Sequence, residues 1–156
     1  MIEPLGADDT AALALNNAHA TELSFLEPAR FAQLVRGAFL ARRIGDIEAL
    51  LLAFDQDANY DSPNFLWFRE RYSRFVYVDR IVVAPAQRGR SLARRLYDDL
   101  FEQARRRGHD QLVCEVNIEP PNPASDAFHA RLGFVEVGQA VLPGRAKAVR
   151  YLRRAL

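Results

Sequence analysis

Within these 156 residues, the side chains best placed to act together lie in one stretch, Ala84-Pro85-Ala86-Gln87-Arg88-Gly89-Arg90-Ser91-Leu92-Ala93. An apolar run ends just before it and an amphipathic stretch begins within it, so a strand, a tight turn and a helix start follow one another. Unpaired amides in a helix's first turn and the positive end of its dipole together make an anion site. Arg88, Arg90 and Arg94 are near enough in sequence to add full charges, and a diphosphate is the natural ligand class. Two other phosphate loops do not fit. A Walker loop needs Lys followed by Ser or Thr after its second glycine, and a dinucleotide fingerprint needs three spaced glycines; this turn has no Lys and only Gly89. A solvated turn without a ligand is the competing reading.

Cys114 is the single cysteine, so neither an internal disulfide nor a multi-thiolate metal site is available, and no metal is expected. It lies in the apolar run Gln111 to Val116, which reads as a buried strand and not as the seat of a catalytic thiol. With 21 Lys+Arg against 20 Asp+Glu, the net charge of +1 gives no field for a polyanion or an anionic membrane. Neither nucleic acid nor membrane is therefore expected as a partner. The acidic start, Met1 to Asp9, is unlike a signal peptide. The longest aliphatic stretch, Ala49 to Phe54, falls far short of the roughly 20 helical residues that span a bilayer. A reducing cytoplasm is the expected setting. Of the 21 basic residues, 20 are Arg and only Lys147 is Lys.

These groups need elements to hold them. A short strand at Ile2 to Leu5 precedes a helix capped by Asp8 or Asp9 and running to about Asn17. A second helix is expected over Pro28 to Arg36, with Phe31, Leu34 and Val35 apolar and Gly37 ending it. Phe39 to Ile44 and Glu48 to Phe54 read as a hairpin across Gly45-Asp46. Residues 55–74 mix turn formers with Tyr60, Phe65, Trp67, Phe68 and Tyr72, and read as a long loop folded over a core edge or lining a pocket. Phe75 to Val83 is apolar on both faces, as a central covered strand would be, except at Asp79-Arg80.

Ser91 to Arg107 is the clearest helix. Leu92, Leu96, Leu100, Phe101 and Ala104 share one face, and Arg94/Asp98, Arg95/Asp99 and Glu102/Arg106 are spaced to pair on the other. Gly108 ends it, leaving His109 in solvent. A strand over Gln111 to Asn117, a short helix from Pro123 to Leu132 capped by Asn122, and strands over Phe134 to Val141 and Ala148 to Leu152 complete the chain. No repeat or linker divides it, so one domain over residues 1–156 is expected, a mixed α/β sheet with helices on both faces.

Two segments of this order resemble the GNAT family of acetyl-CoA-dependent N-acetyltransferases. The family has an apolar strand, a Val-x-Pro step and Arg/Gln-x-x-Gly-x-Gly/Ala opening a long helix, matched by Ile81 to Ala93 with Ser91 where Gly is usual. It then has a strand, an Asn and a short helix with Tyr four residues before Gly-Phe, matched by Asn122 to Phe134 with His129 at the Tyr position. Residues 75–137 carry the resemblance, and residues 1–74 match in element order only.

The resemblance implies a mostly antiparallel sheet with a central V-shaped splay. It implies acetyl-CoA as co-substrate, with Ile81, Val82 and Val83 pairing with its pantetheine arm, Asn122 and Phe128 on the opposite wall, and the Gly89 to Arg94 segment (Gly89, Arg90, Ser91, Leu92, Ala93, Arg94), with Arg88, on its diphosphate. His129 becomes the candidate acid for the departing sulfur, since imidazole can pass a proton at neutral pH. Asp79 and Glu115 become candidate bases for the amine, Asp79 having an ion pair with Arg80 as its other reading. Asn16, Asn17, Glu22 and the Tyr60 to Trp67 region become candidates for recognising the acceptor, a small-molecule or peptide amine. Many relatives dimerise, which extends to this chain the expectation of a homodimer. A non-catalytic acyl-CoA sensor with the same fold is the alternative.

Overall fold

A computed structural model describes residues 1–20, 23–144 and 147–156. In chain order the elements are β1 (Ile2–Pro4), α1 (Thr10–Ala18), α2 (Pro28–Gly37), β2 (Leu40–Ile44), β3 (Ala49–Asp55), α3 (Pro63–Arg69), β4 (Val76–Val83), a 3₁₀ turn (Pro85–Gln87), α4 (Leu92–Arg106), β5 (Gln111–Glu119), α5 (Pro123–Arg131), β6 (Val135–Leu142) and β7 (Lys147–Ala155). Among the described residues the strands form one sheet in the order β1-β2-β3-β4-β5-β7-β6. Every neighbouring pair is antiparallel except β4 with β5.

The sheet is covered on both faces, which is why β3 and β4 read as unbroken apolar runs. Along β3, Ala49, Leu51 and Ala53 face the layer built by α4 and α5, while Leu50, Leu52 and Phe54 face α1, α2 and α3. Leu92, Leu96, Leu100, Phe101 and Ala104 of α4 are buried as the periodicity requires, and Tyr97 joins them with no exposed surface. Each such large apolar side chain contributes roughly 1.5–3 kcal/mol by leaving water.

Three expectations need correction. Residues 55–74 are not one loop: Ser62 precedes α3, Pro63 fills its first turn, and Phe65 and Phe68 are buried, so the aromatic cluster sits on a helix docked at the core edge. Arg95 and Asp99 do not pair, because Asp99 instead meets Arg42 of β2 at 3.0 Å. His109 is buried, not solvated. Its ring packs edge-on against Phe39, and its backbone N–H bonds Ala104 O at 2.9 Å as α4 ends.

Trp67 of α3 lies flat on Tyr151 of β7, with ring centroids 4.1 Å apart. Gly138, the β6 residue paired with Tyr151 beside a bulge, leaves room for the indole: a Cβ there would overlap it. Gly138→Ala should therefore lower stability by about 1–3 kcal/mol, the usual cost of overpacking. Urea unfolding checks this, and an unchanged midpoint would show that α3 gives way at no cost.

Candidate active site

The site begins with a β-bulge. Leu52 pairs with Arg80 and Ala53 with Val78, so Asp79 is an extra residue in β4. The side-chain alternation of the strand resets there: Val76 and Val78 face α4, and so do Ile81 and Val83. Asp79 and Arg80 consequently both reach groups on the α1–α3 side. A bulge also bends its strand and increases its twist. β4 keeps parallel pairing with β5 only at Val76–Leu112 and Tyr77–Val113, while β5 remains paired with β7 out to Glu119. The two central strands splay apart beyond Tyr77.

Two cavities fill the splay. A groove of about 780 Å³ runs from Ile81, Val82 and Val83 along the start of α4 to Phe128 of α5. At its α4 end Gly89 (φ +84°) and Ser91 (φ +59°) are both left-handed, which turns the chain sharply. No side chain caps α4, so the first-turn amides remain available to an anion. Arg88, Gly89, Ser91, Leu92, Ala93 and Arg94 line the groove. Arg90 does not: it bonds Gln87 Oε1 and lies 3.5 Å from Glu48. Arg131, which the sequence reading did not single out, adds another cation to the wall. An extended strand edge leading to a loop of free amides fits a long ligand ending in a diphosphate.

The second cavity, about 220 Å³, lies between β4 and β5 on the α1–α3 side and contains both candidate carboxylates. Asp79 is held on both oxygens: Tyr60 donates to Oδ1 at 2.6 Å and Arg80 Nε donates to Oδ2 at 2.6 Å. Both side chains of the ion pair are 5% exposed. Glu115 accepts from Tyr77 Oη at 2.6 Å and from Asn64 Nδ2 at 2.9 Å, both on Oε1. Asn64 in turn accepts from Tyr151 Oη at 2.9 Å. Burial raises the Glu115 carboxyl to about 7, with the nearby Asp79 charge adding to the rise and the Tyr77 and Asn64 bonds opposing it. A group titrating there can take a proton at neutral pH.

The two cavities share Leu23, Ile81, Asn122, Ser125 and His129. Asn122 also caps α5, accepting from Ser125 N–H. His129 is 5% exposed. Its Nδ1 lies 2.8 Å from Ser125 O, an acceptor, so Nδ1 carries the proton and Nε2 accepts from Tyr97 Oη at 2.7 Å. Burial lowers its pKa, so the ring is neutral near pH 7.

Asn16 and Asn17 do not serve as an acceptor contact. Asn16 is fully buried, accepts from Arg80 Nη1 at 2.9 Å and donates to Ser24 O, while Asn17 clasps both backbone groups of Leu26. Glu22 lies outside the described residues. Tyr60 and Asn64 line the cavity, whereas Trp67 is spent on Tyr151 and Arg71. Tyr77, Asn64 and Tyr97 were missed from sequence. For Tyr97 the signal was present, since it stands four and seven residues before the buried Phe101 and Ala104.

The Acetyltransferase (GNAT) family model matches residues 35–134. The chain belongs to that family. Among solved structures, this GNAT chain is similar to the ribosomal-protein-S18-alanine N-acetyltransferase of Escherichia coli (20% identity, 99% of this chain and 92% of that one, TM-score 0.73). It is similar also to yncA of Salmonella typhimurium, solved with acetyl-CoA (21%, 99% and 92%, 0.70), and to Arabidopsis thaliana NAA60 in complex with acetyl-CoA (14%, 100% and 98%, 0.72). At these identities the likeness is one of fold. No curated protein matches the sequence. Among the described residues no group of three or more His, Cys, Asp or Glu is placed to hold a metal, and no helix is long and apolar enough to cross a membrane.

The raised carboxyl of Glu115 has a signature in stability. Below about pH 4.5, its ordinary value, both folded and unfolded chains hold the proton; between there and about 7 only the folded chain does. Stability therefore falls as pH rises through that window, by about 3 kcal/mol in full. Glu115→Gln removes the titration, and its melting temperature should exceed the parent's at pH 8.5 by more than it does at pH 5. An offset equal at both pH values would contradict the assignment.

Proposed function

We propose that this GNAT chain is an acetyl-CoA-dependent N-acetyltransferase, moving acetyl to a primary amine of a small molecule or peptide by direct attack with both substrates bound. The observation that carries the reading is the meeting of the two cavities at Ile81, Asn122, Ser125 and His129. One is shaped for a long phosphate-bearing ligand and the other holds a carboxylate that titrates near neutrality.

Residues Ile81, Val82 and Val83 would hold the pantetheine arm as an added strand along the β4 edge that β5 leaves unpaired. The α4 first-turn amides, with Arg88 and Arg94, would hold the diphosphate, Ser91 offering its N–H from the left-handed turn. Asn122 and Phe128 would close the other wall. When bound, acetyl-CoA supplies a thioester whose acyl carbon is open to an amine.

An alkyl ammonium arriving at the acceptor cavity must lose a proton to become a nucleophile, and a second proton must leave the nitrogen as the amide forms. Glu115 takes the first through Oε2, the oxygen less engaged by Tyr77 and Asn64. His129, neutral at rest, would take the second through the Tyr97 hydroxyl, which can hand its own proton to Nε2 as it accepts the incoming one, and the same path reversed would supply a proton to a departing thiolate; Ser125 O fixes the ring through Nδ1–H. Asp79, saturated by Tyr60 and Arg80, shapes the field around Glu115 and does not accept the proton. Backbone N–H groups of β4 beyond Tyr77, where β5 leaves that edge unpaired, would be available as donors to an acyl oxygen.

A sensor that binds acyl-CoA without turnover remains as a second reading, favoured by the engagement of both His129 ring nitrogens. Calorimetry and a thioester-cleavage assay with a panel of amines separate the two. Acetyl-CoA should bind the parent and lose at least about tenfold in affinity in Arg88→Ala/Gly89→Asp, since a charge-assisted bond is worth about 1.5–3 kcal/mol. Unchanged affinity would overturn the groove assignment, and binding with no turnover for any amine would favour the sensor. In active protein, His129→Ala should lower kcat and alter its pH profile. An unaltered profile would remove His129 from the proton path.

A further inference from the structure

We infer that the acceptor is a small primary amine carrying a neutral hydroxyl or carboxamide, and that Asn117 recognises that group. The inference rests on the transferase reading above. The second cavity, about 220 Å³, is smaller than the roughly 300–1,000 Å³ of sites that take drug-sized ligands. A molecule of a few heavy atoms suits it.

Most polar groups lining the cavity are already paired. Asp79 and Arg80 hold one another at 2.6 Å and bond in turn to Tyr60, Asn16 and Ser24. Glu115 is tied to Tyr77 and Asn64, and His129 to Tyr97 and Ser125. Lys147 is engaged as well, so among the described residues no uncommitted cation lines the cavity to receive a carboxylate. Of the hydroxyl and amide side chains that line it, only those of Asn117 and Ser62 make no hydrogen bond among the described residues. Both residues are half-buried.

Strand register sets Asn117 next to Glu115. It follows Glu115 by two residues on β5, and the two lie opposite Val149 and Tyr151 of β7, which both pack on the α1–α3 side. The irregularity in β5 comes only after Asn117, so regular alternation puts both side chains on the cavity face. They stand about 7 Å apart at about 3.4 Å per residue, and Ser62, just ahead of α3, lines the same space. An amine held at Glu115 therefore presents a group a few bonds along its chain to Asn117. A carboxamide both donates and accepts, and it matches a hydroxyl or another amide, each of which does the same. A methyl in that place would leave the Asn117 amide unpaired, which is how a polar site rejects an apolar isostere.

Initial rates with acetyl-CoA compare aminopropanol and β-alaninamide with β-alanine and with butylamine, which has a methyl where the alcohol has its hydroxyl. The alcohol or the amide should exceed both of the others by about tenfold or more in kcat/KM. Asn117→Ala should remove most of the margin over butylamine, mainly through KM. Asn117→Asp should move the preference to diaminopropane, whose second ammonium would pair with the introduced carboxylate. Butylamine or β-alanine used as well as the alcohol and the amide overturns the inference, as does a short peptide acetylated faster than any of them. A margin unchanged in Asn117→Ala, or a preference left with the alcohol in Asn117→Asp, overturns it too. Each of these results leaves the transferase reading standing, whereas turnover of no amine overturns both.

Discussion

The site depends on one extra residue in the central strand. Without a bulge at Asp79, strict alternation would send Asp79 and Arg80 to opposite faces, and one charge would enter the apolar layer under α4 among Val76, Val78 and Leu96. Burying an unpaired charge there would cost several kcal/mol. The bulge places both on one side, where each finds the other and the polar groups of the α1–α2 connection. It also accompanies the parting of β4 from β5, so the opening between the strands and the ion pair in its wall meet at the same residue.

Two carboxylates in one cavity meet opposite fates because their partners differ. Asp79 has a guanidinium on one oxygen and a phenol on the other. Glu115 has only neutral donors, and Asp79's charge lies close enough to discourage its ionisation. Like-charged neighbours separate in this way: one is held as an ion in the wall and the other titrates near neutrality. His129 repeats the theme, its tautomer set by a carbonyl on one side and a phenol on the other.

Much of this was legible in the sequence. Element order apart from α3, the long amphipathic helix, the tight turn after β4 and the Asn122-capped helix all follow from periodicity, turn residues and capping, which act over a few residues. Asp79-Arg80 stood out as a break in an apolar strand, yet a bulge adds a residue without a residue type of its own, so its direction stayed hidden. The helix α3 was obscured by Tyr60, Asn64 and the turn formers around them, and is fixed by burial of Phe65 and Phe68 against the sheet. Asn16 and Asn17 became recognition candidates through the family resemblance alone, which places them on the acceptor side without telling a ligand from a distant backbone. Asp99 lay at a proper helical spacing from Arg95 but was taken by Arg42, which is remote in sequence and near in space.

Asn64, in the first turn of α3, ties that helix to Glu115 and Tyr151, and Tyr60 just ahead of it binds Asp79. The segment that walls the second cavity therefore also helps set the basicity of Glu115. Under the proposed reading, selectivity and working pH are not independent traits in this architecture. A lineage that remodelled residues 60–64 to admit a bulkier amine would shift its pH optimum in the same step, and compensation would have to come from the sheet side, through Tyr77 or Tyr151.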